Sequence, residues 1–165
     1  MDLKAALLGL AACAALVAGC GSDGGGSGPM AAATPTEAAV EPEPAAPRGP
    51  LVKLRGSQFG PVLFSGSDRA LYLFTRDKRG KSRCYGDCAA AWPPFYAKGR
   101  PRAARGVDAS LLGKVERRDG RSQVTYRGWP LYFYVDDPKR QVLCNDVIEF
   151  GGTWFALDGA GKPPA

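Results

Sequence analysis

The chain has 165 residues, with 22 Lys and Arg residues against 16 Asp and Glu residues and a net charge of +6. It contains no histidine, which excludes a Ser-His-Asp hydrolase and disfavours a structural zinc site, since zinc takes four Cys or His ligands. The length fits one folded domain and an extension.

Residues 1–19 have the pattern of an export signal. Lys4 precedes an apolar stretch of about thirteen residues, too short to span a membrane as a helix, and the stretch ends in LVAGC at Cys20. This ending resembles the lipobox of bacterial lipoproteins, which implies cleavage before Cys20 and acylation of its thiol with palmitate-type chains. Two or three such chains anchor a protein stably to a lipid bilayer. The alternative is an ordinary secretory signal with an incidental cysteine.

Residues 20–50 are mostly Gly, Ser, Pro, Ala and Glu, a composition that predicts a disordered tether. The remaining residues, 51–165, form the predicted folded domain. They hold 20 Lys and Arg residues against 11 Asp and Glu residues, a net of +9. This charge indicates either attraction to anionic envelope polymers and lipid head groups or ordinary solvated loops. Nucleic acid is not an expected partner of an exported protein, and the protein is expected on the non-cytoplasmic side of a bacterial membrane.

Along this domain, apolar alternation and turn residues predict a series of short strands. They lie near Val52–Arg55, Pro61–Phe64, Leu71–Arg76, Lys114–Arg117, Ser122–Tyr126, Trp129–Val135 and Thr153–Leu157. We predict one hairpin over Val62–Arg76 and another around Asp119 and Gly120, a pair typical of a type I′ turn. A short helix is predicted over Asp87–Trp92, capped by Asp87, and one helical turn near Val107–Gly113. The fold class is therefore mainly β, an antiparallel domain with one or two short helices.

The two halves of this domain resemble each other. Leu71–Phe74 matches Leu131–Tyr134 at an offset of 60 residues, and Asp77 matches Asp137 at the same offset. Cys84 and Cys144 also correspond, as do two tryptophans when two residues are inserted. A duplicated unit packed about a pseudo-two-fold axis explains this pattern.

Each half carries the pattern Tyr-x-aromatic-x-x-Asp followed by a tryptophan. The residues are Tyr72, Phe74, Asp77 and Trp92 in the first half and Tyr132, Tyr134, Asp137 and Trp154 in the second. This arrangement resembles the bacterial predicted lipoproteins with a Yx(F/W/Y)xxD motif, also described as a secreted repeat of unknown function. The resemblance implies an envelope location, two pseudo-symmetric repeats near residues 60–95 and 122–157, and no established enzymatic activity. The chain departs from the family pattern in the loop before Gly151, which contains Cys144.

Three cysteines fall in the predicted domain. Cys84 and Cys88 are four residues apart, and a disulfide between them would stabilise the fold by about 2 kcal/mol, leaving Cys144 free or able to exchange into a bridge with Cys84. Disulfides persist outside the cytoplasm. The alternative is a Cu(I) site formed by Cys84, Cys88 and Cys144, because Cu(I) favours soft sulfur ligands. Thiol–disulfide exchange chemistry is less favoured, since redox enzymes usually carry C-x-x-C on a thioredoxin-like fold.

The motif aromatics are predicted to pack in the core, with a sugar- or ring-stacking surface as the alternative. Asp77 and Asp137 are predicted to cap backbone groups beside turns, with a carboxylate pair for acid–base chemistry as the alternative. No catalytic constellation appears in the sequence. We therefore expect a non-enzymatic interaction or structural module, with a copper- or redox-associated envelope protein as the alternative.

Overall fold

A computed structural model describes residues 48–164 of the chain. The predicted signal, the predicted acylation site at Cys20 and the tether up to residue 47 lie outside the described residues. Within them, Gly49 and Pro50 already belong to the domain. The carbonyl of Pro50 accepts from the Arg102 backbone N–H at 2.9 Å, and the carbonyl of Gly49 accepts from the Arg102 guanidinium at 3.2 Å. Among residues 48–164 no helix is long and apolar enough to cross a membrane.

The described residues form nine short strands, which confirms the mainly β fold class. The strands are β1 (Leu51–Ser57), β2 (Gly60–Ser65), β3 (Tyr72–Phe74), β4 (Arg102–Ala103), β5 (Leu112–Glu116), β6 (Ser122–Tyr126), β7 (Trp129–Pro130), β8 (Val147–Glu149) and β9 (Gly152–Ala156). They make three small sheets, ordered β2-β1-β4, β3-β9-β8 and β5-β6-β7. All pairings are antiparallel except the two-residue parallel pairing of β1 with β4.

The first hairpin differs from the prediction. The hairpin predicted over Val62–Arg76 is present only as a short contact, in which Phe64 bridges Ala70 and the Leu71 N–H donates to the Leu63 carbonyl at 3.0 Å. The regular pairing of β2 is with β1, through a turn at Gln58 and Phe59, whereas β3 pairs with β9. After β2, the hydroxyl of Ser65 accepts from the Arg69 N–H at 3.2 Å, and this turn leads the chain into the core. Local alternation indicates strands but not their partners, so this long-range pairing could not be read from the sequence.

The second hairpin, β5–β6, is confirmed, but its turn is longer than predicted. The backbones of Arg117 and Arg121 pair at 2.9 Å across a three-residue loop, and the Gly120 N–H donates to the Arg117 carbonyl at 3.0 Å. Gly120 has a φ of 75° while Asp119 does not take a positive φ, which excludes a type I′ turn. The geometry is that of a turn followed by a left-handed glycine bulge.

The predicted helix is present as α1 (Asp87–Ala91), and a 3₁₀ turn covers Ala109–Leu111. The N-cap of α1 is Gly86, with a φ of 57°, rather than Asp87 as predicted. Asp87 lies instead in the first turn, where a negative charge is favourable next to the helix dipole. Trp92 ends the helix, and the two prolines that follow prevent its continuation.

In the second half, the strand predicted over Trp129–Val135 is mostly irregular: only Trp129 and Pro130 join a sheet. The segment is still extended at Tyr132, which bridges to Tyr72 and to Pro94. Strand β8 was not predicted and lies in a stretch expected to be loop, because its three residues show no clear alternation. The closing strand β9 is found within one residue of its prediction.

The two repeats interlock at their ends. The N–H of Leu63 donates to the carbonyl of Leu157 at 2.7 Å, and in the symmetric position the N–H of Val124 donates to the carbonyl of Phe95 at 2.8 Å. The C-terminal segment of each repeat thus hydrogen-bonds to the strands of the other repeat. A single repeat would leave these backbone groups unpaired.

Two buried clusters form the core. One is aromatic and contains the motif rings, together with Val62, Ala70 and all three cysteines of the domain. The other is mainly aliphatic and contains Val52, Leu63, Leu71, Leu131 and their neighbours. Burying each such large side chain contributes about 1.5–3 kcal/mol, so both repeats depend on the shared core.

Candidate functional site

Tyr72 and Tyr132, the first residues of the two motifs, meet at the pseudo-two-fold axis. The N–H of Tyr72 donates to the carbonyl of Tyr132, and the N–H of Tyr132 donates to the carbonyl of Tyr72, each at 3.0 Å. Both residues are fully buried. The sequence repeat is therefore a structural repeat, and its two copies are in direct backbone contact.

Each motif tyrosine bonds to the motif aspartate of the other repeat. The hydroxyl of Tyr72 donates to Asp137 Oδ2 at 2.6 Å, and the hydroxyl of Tyr132 donates to Asp77 Oδ2 at 2.7 Å. This reciprocal exchange is not visible in the sequence, because the spacing within one motif does not indicate a partner in the other. It gives the motif a physical explanation, because each copy supplies a tyrosine hydroxyl as donor to the other copy and an aspartate oxygen as acceptor from it.

The second oxygen of each aspartate fixes the loop that follows it. Asp77 Oδ1 accepts from the Arg83 N–H at 2.7 Å, and Asp137 Oδ1 accepts from the Leu143 N–H at 3.0 Å. Arg83 and Leu143 are themselves 60 residues apart, so the symmetry extends to the loops. Both carboxylates thus act as backbone caps as well as acceptors for tyrosine.

Burial changes the ionisation of this cluster. It raises the pKa of Asp77 to about 6, against the opposing hydrogen bonds from Tyr132 and Arg83. It also raises the pKa of Asp137 and the pKa of both motif tyrosines. At neutral pH the two tyrosines are therefore neutral donors, and Asp77, with a pKa of about 6, is mostly ionised.

The motif tryptophans stack on each other at the axis. The rings of Trp92 and Trp154 lie 4.0 Å apart and nearly parallel, and Phe74 stacks on Trp154 at 4.1 Å. Tyr134 lies 4.8 Å from Trp92 on the other end, and it is half-buried. Edge contacts at 5.3 Å and 5.2 Å join the tyrosines to this stack. The motif rings thus form core packing rather than an open stacking surface.

A buried polar network between the repeats was not predicted from the sequence. Arg117 is 3% exposed and donates to Ser82 Oγ at 2.6 Å, to Gln123 Oε1 at 2.8 Å and to the Cys84 carbonyl at 2.7 Å. Ser82 in turn lies 2.7 Å from the hydroxyl of Tyr132. Arg117 stands in a run of charged residues, so no local signal distinguishes it from its exposed neighbours. Its contacts are structural, since they join the β5–β6 hairpin to the loop before Cys84.

The cysteines adopt the predicted structural arrangement. Cys84 and Cys88 form a disulfide, and Cys144 is a free, buried thiol. Burial, with a further contribution from the charge of Asp137, raises the pKa of the Cys144 thiol to about 11, so this group is a protonated thiol at neutral pH. Among residues 48–164 no three Cys, Asp or Glu side chains cluster as a metal site requires. A copper site at the three cysteines would therefore need a reduced and rearranged protein.

Comparison with known proteins identifies a family. A family model described as a secreted repeat of unknown function matches residues 56–96 and 113–158, together more than half of the chain. The second matched repeat begins earlier than the predicted start near residue 122 and includes most of β5, whereas the first matched repeat begins near the end of β1. No curated protein and no solved structure matches the chain.

Proposed function

The chain belongs to the family of secreted repeats of unknown function, and on this premise we propose that it is a lipid-anchored, non-catalytic interaction module displayed on the outer side of a bacterial membrane. The export signal and the cysteine at its end support the anchoring, and the basic domain supports a role in contacting envelope components.

One observation carries the non-catalytic part of this proposal. The first tyrosine and the aspartate of each Tyr-x-aromatic-x-x-Asp pattern are buried and satisfy their counterparts in the other pattern: Tyr72 with Asp137 and Tyr132 with Asp77, at 2.6 and 2.7 Å. A repeated pattern of tyrosine and aspartate would otherwise suggest acid–base chemistry. Groups that are both buried and paired cannot reach a substrate, so the motif serves the fold and leaves binding to the surface.

The test of anchoring is a Cys20→Ala variant of the full chain, expressed in a bacterial host and followed by membrane fractionation. We expect the wild-type protein in the membrane fraction and the variant released from it, with an unchanged near-UV spectrum of the domain. A matched control, Cys13→Ala, changes a cysteine inside the signal and should leave the protein in the membrane. A Cys20→Ala protein that carries no lipid and still sediments fully with membranes would refute the anchoring.

The intact mass of the purified wild-type protein, measured before and after thiol alkylation, tests the copper alternative. We expect one blocked thiol, from Cys144 after unfolding, and no bound metal. Three alkylated cysteines with about one bound copper would instead support a metal site at the C-x3-C pair. That result would contradict the structural disulfide between Cys84 and Cys88 and favour metal binding by the three cysteines.

A further inference from the structure

A groove lined by residues of both repeats runs over the surface on both sides of Tyr85. Two adjoining clefts of about 430 and 280 Å³ share Arg83 and Tyr85 as lining residues. The first cleft is also lined by Phe74, Arg76, Asp87, Cys88 and Phe150, and the second by Lys81, Ser82 and Arg118. We call the two clefts together the Tyr85 groove. Two clefts in series suit an extended chain better than a single small ion.

The groove is strongly basic. Its four cations are Arg76, Lys81, Arg83 and Arg118, against the single carboxylate of Asp87. None of the four lies within 4.0 Å of a carboxylate oxygen in the described part of the chain, whereas Asp68 elsewhere pairs with three cations. Cations that form no salt bridge with a carboxylate of the protein remain available to oxyanions of a ligand. Guanidinium groups bind carboxylate and phosphate through paired hydrogen bonds.

The backbone of the groove is held in place by the buried motif. Asp77 fixes the N–H of Arg83 at 2.7 Å, and Arg117 fixes the Cys84 carbonyl at 2.7 Å. The hydroxyl of Tyr85 accepts from the Arg118 N–H at 3.1 Å, and the guanidinium carbon of Arg118 lies 4.1 Å from the centre of its ring. A surface ordered in advance loses less conformational entropy when a ligand binds. The motif residue Asp77 therefore shapes a binding surface that it does not line, whereas the motif residue Phe74 lines the first cleft directly.

An exposed aromatic residue lines the first cleft of the groove. Phe150 is 36% exposed, and with φ values of 53° and 72° it and Gly151 form the two-residue turn between β8 and β9. The Arg76 guanidinium donates to the Phe150 carbonyl at 2.9 Å and so links this residue to the basic wall. An exposed ring beside guanidinium groups offers an apolar surface to one part of a ligand and cations to another.

We propose that the Tyr85 groove binds an anionic glycan chain of the cell envelope. Its carboxylate or phosphate groups meet Arg76, Arg83 and their neighbours, while the apolar face of a sugar ring packs on Phe150. This inference rests on the proposed envelope function, which brings the domain next to such polymers. A larger basic cleft of about 840 Å³, which includes Arg100, Arg102 and Lys114, has no aromatic residue among its lining. It provides a matched control that is also basic and has no ring.

The experiment is calorimetric titration of the full-length acylated protein, in a nonionic detergent, with hexagalacturonate and with a short polymer of N-acetylglucosamine units joined by phosphodiesters. These two probes distinguish a carboxylate from a phosphodiester as the preferred anion, and neutral maltohexaose is the uncharged control. We expect binding to at least one anionic probe and none to maltohexaose. Arg76→Gln with Arg83→Gln should weaken binding at least tenfold, whereas Arg100→Gln with Arg102→Gln should change it less than twofold. All four of these arginines are exposed, so the pairs are matched in charge and in accessibility.

Phe150→Asn tests the ring, because Asn accepts the left-handed backbone and removes the aromatic surface. We expect at least a threefold loss of affinity with an unchanged melting temperature. The proposal is overturned if neither anionic probe binds, if the two double variants lose affinity equally, or if Phe150→Asn has no effect. Binding to phosphatidylglycerol vesicles alone also overturns it, in favour of a lipid surface. Because fractionation of Cys20→Ala is scored separately, a protein that is anchored but binds no glycan refutes the groove and not the anchoring.

Discussion

At the scale of the residue, one carboxylate performs two tasks in each motif. One oxygen of Asp77 caps its own loop at Arg83, and the other accepts the hydroxyl of Tyr132 from the opposite repeat. Asp137 does the same for Leu143 and Tyr72. A glutamate or asparagine could not satisfy both contacts in the same geometry, because one differs in length and the other in acceptors. The spacing of five residues between Tyr and Asp therefore reflects the shape of the loop.

Tyr72→Phe measures the strength of this exchange. The substitution leaves Asp137 Oδ2 buried without its donor, and we expect the free energy of unfolding to fall by about 1–3 kcal/mol. By symmetry Tyr132→Phe should cost a similar amount. Urea unfolding followed by tryptophan fluorescence reports the change, since Trp92 and Trp154 lie next to both tyrosines. Adding Asp137→Asn to Tyr72→Phe should cost less than the two changes separately. Strict additivity would show that the hydrogen bond contributes nothing.

The raised pKa of Asp77 predicts a dependence of stability on pH. An aspartate in the unfolded chain has a pKa of about 3.9, and Asp77 in the folded protein has a pKa of about 6. Between these values the folded state binds more protons, so the contribution of Asp77 to stability falls as the pH rises from about 4 to about 7. Asp77→Asn removes this titration. The stability of the wild type relative to that variant should therefore decline across this range in urea titrations, and parallel pH profiles would contradict the assignment.

At the scale of the element, the positions of most strands were predictable from local patterns, whereas the long-range partners of those strands were not. Alternating residues located β2, β6 and β9, and Asp87 to Trp92 gave the helix, because these signals are local. The pairing of β3 with β9 and the burial of Arg117 depend on residues far away in the chain. For the same reason the sequence named the motif aspartates as candidates but not the tyrosines of the opposite repeat as their partners. The disulfide was predictable because its two cysteines are only four residues apart.

Close packing explains why a glycine occupies position 152 at the start of β9. A Cβ at this position would lie 2.7 Å from Phe74 Cε2 and 2.7 Å from Arg76 Cγ. Since Phe74 is stacked on Trp154, it cannot move away, and we expect Gly152→Ala to cost about 1–3 kcal/mol with a fall of several degrees in melting temperature. Gly56→Ala in β1 is the control, because a methyl group at that position would meet no atom within 4 Å. That control should be neutral or slightly stabilising. Equal effects of both changes would mean that backbone freedom, not packing, explains the glycine.

At the scale of the whole molecule, the two repeats form one cooperative unit. Three kinds of contact at the axis join residues of different repeats: Tyr72 with Tyr132, Trp92 with Trp154, and Leu63 with Leu157. The strand partners are exchanged as well, since β3 of the first repeat pairs with β9 of the second. Duplication of a unit that cannot bury its own core explains why the motif occurs twice. The surface loops, freed from this constraint, differ between the repeats: Arg83 in one stands where Leu143 stands in the other.

Dividing the domain between its repeats tests this interdependence. We expect fragments 48–105 and 106–165 to be unfolded separately, because each would expose its half of the tryptophan stack and leave the carbonyls of Phe95 and Leu157 without their donors. Mixed in equal amounts, the fragments should regain part of the near-UV circular dichroism of the intact domain, and Tyr72→Phe in the first fragment should weaken that association. The uncut domain 48–165 is the reference for a single cooperative transition. A cooperative thermal transition of fragment 106–165 alone would show that one repeat is a complete fold, and the reciprocal tyrosine–aspartate contacts would then join two independent domains.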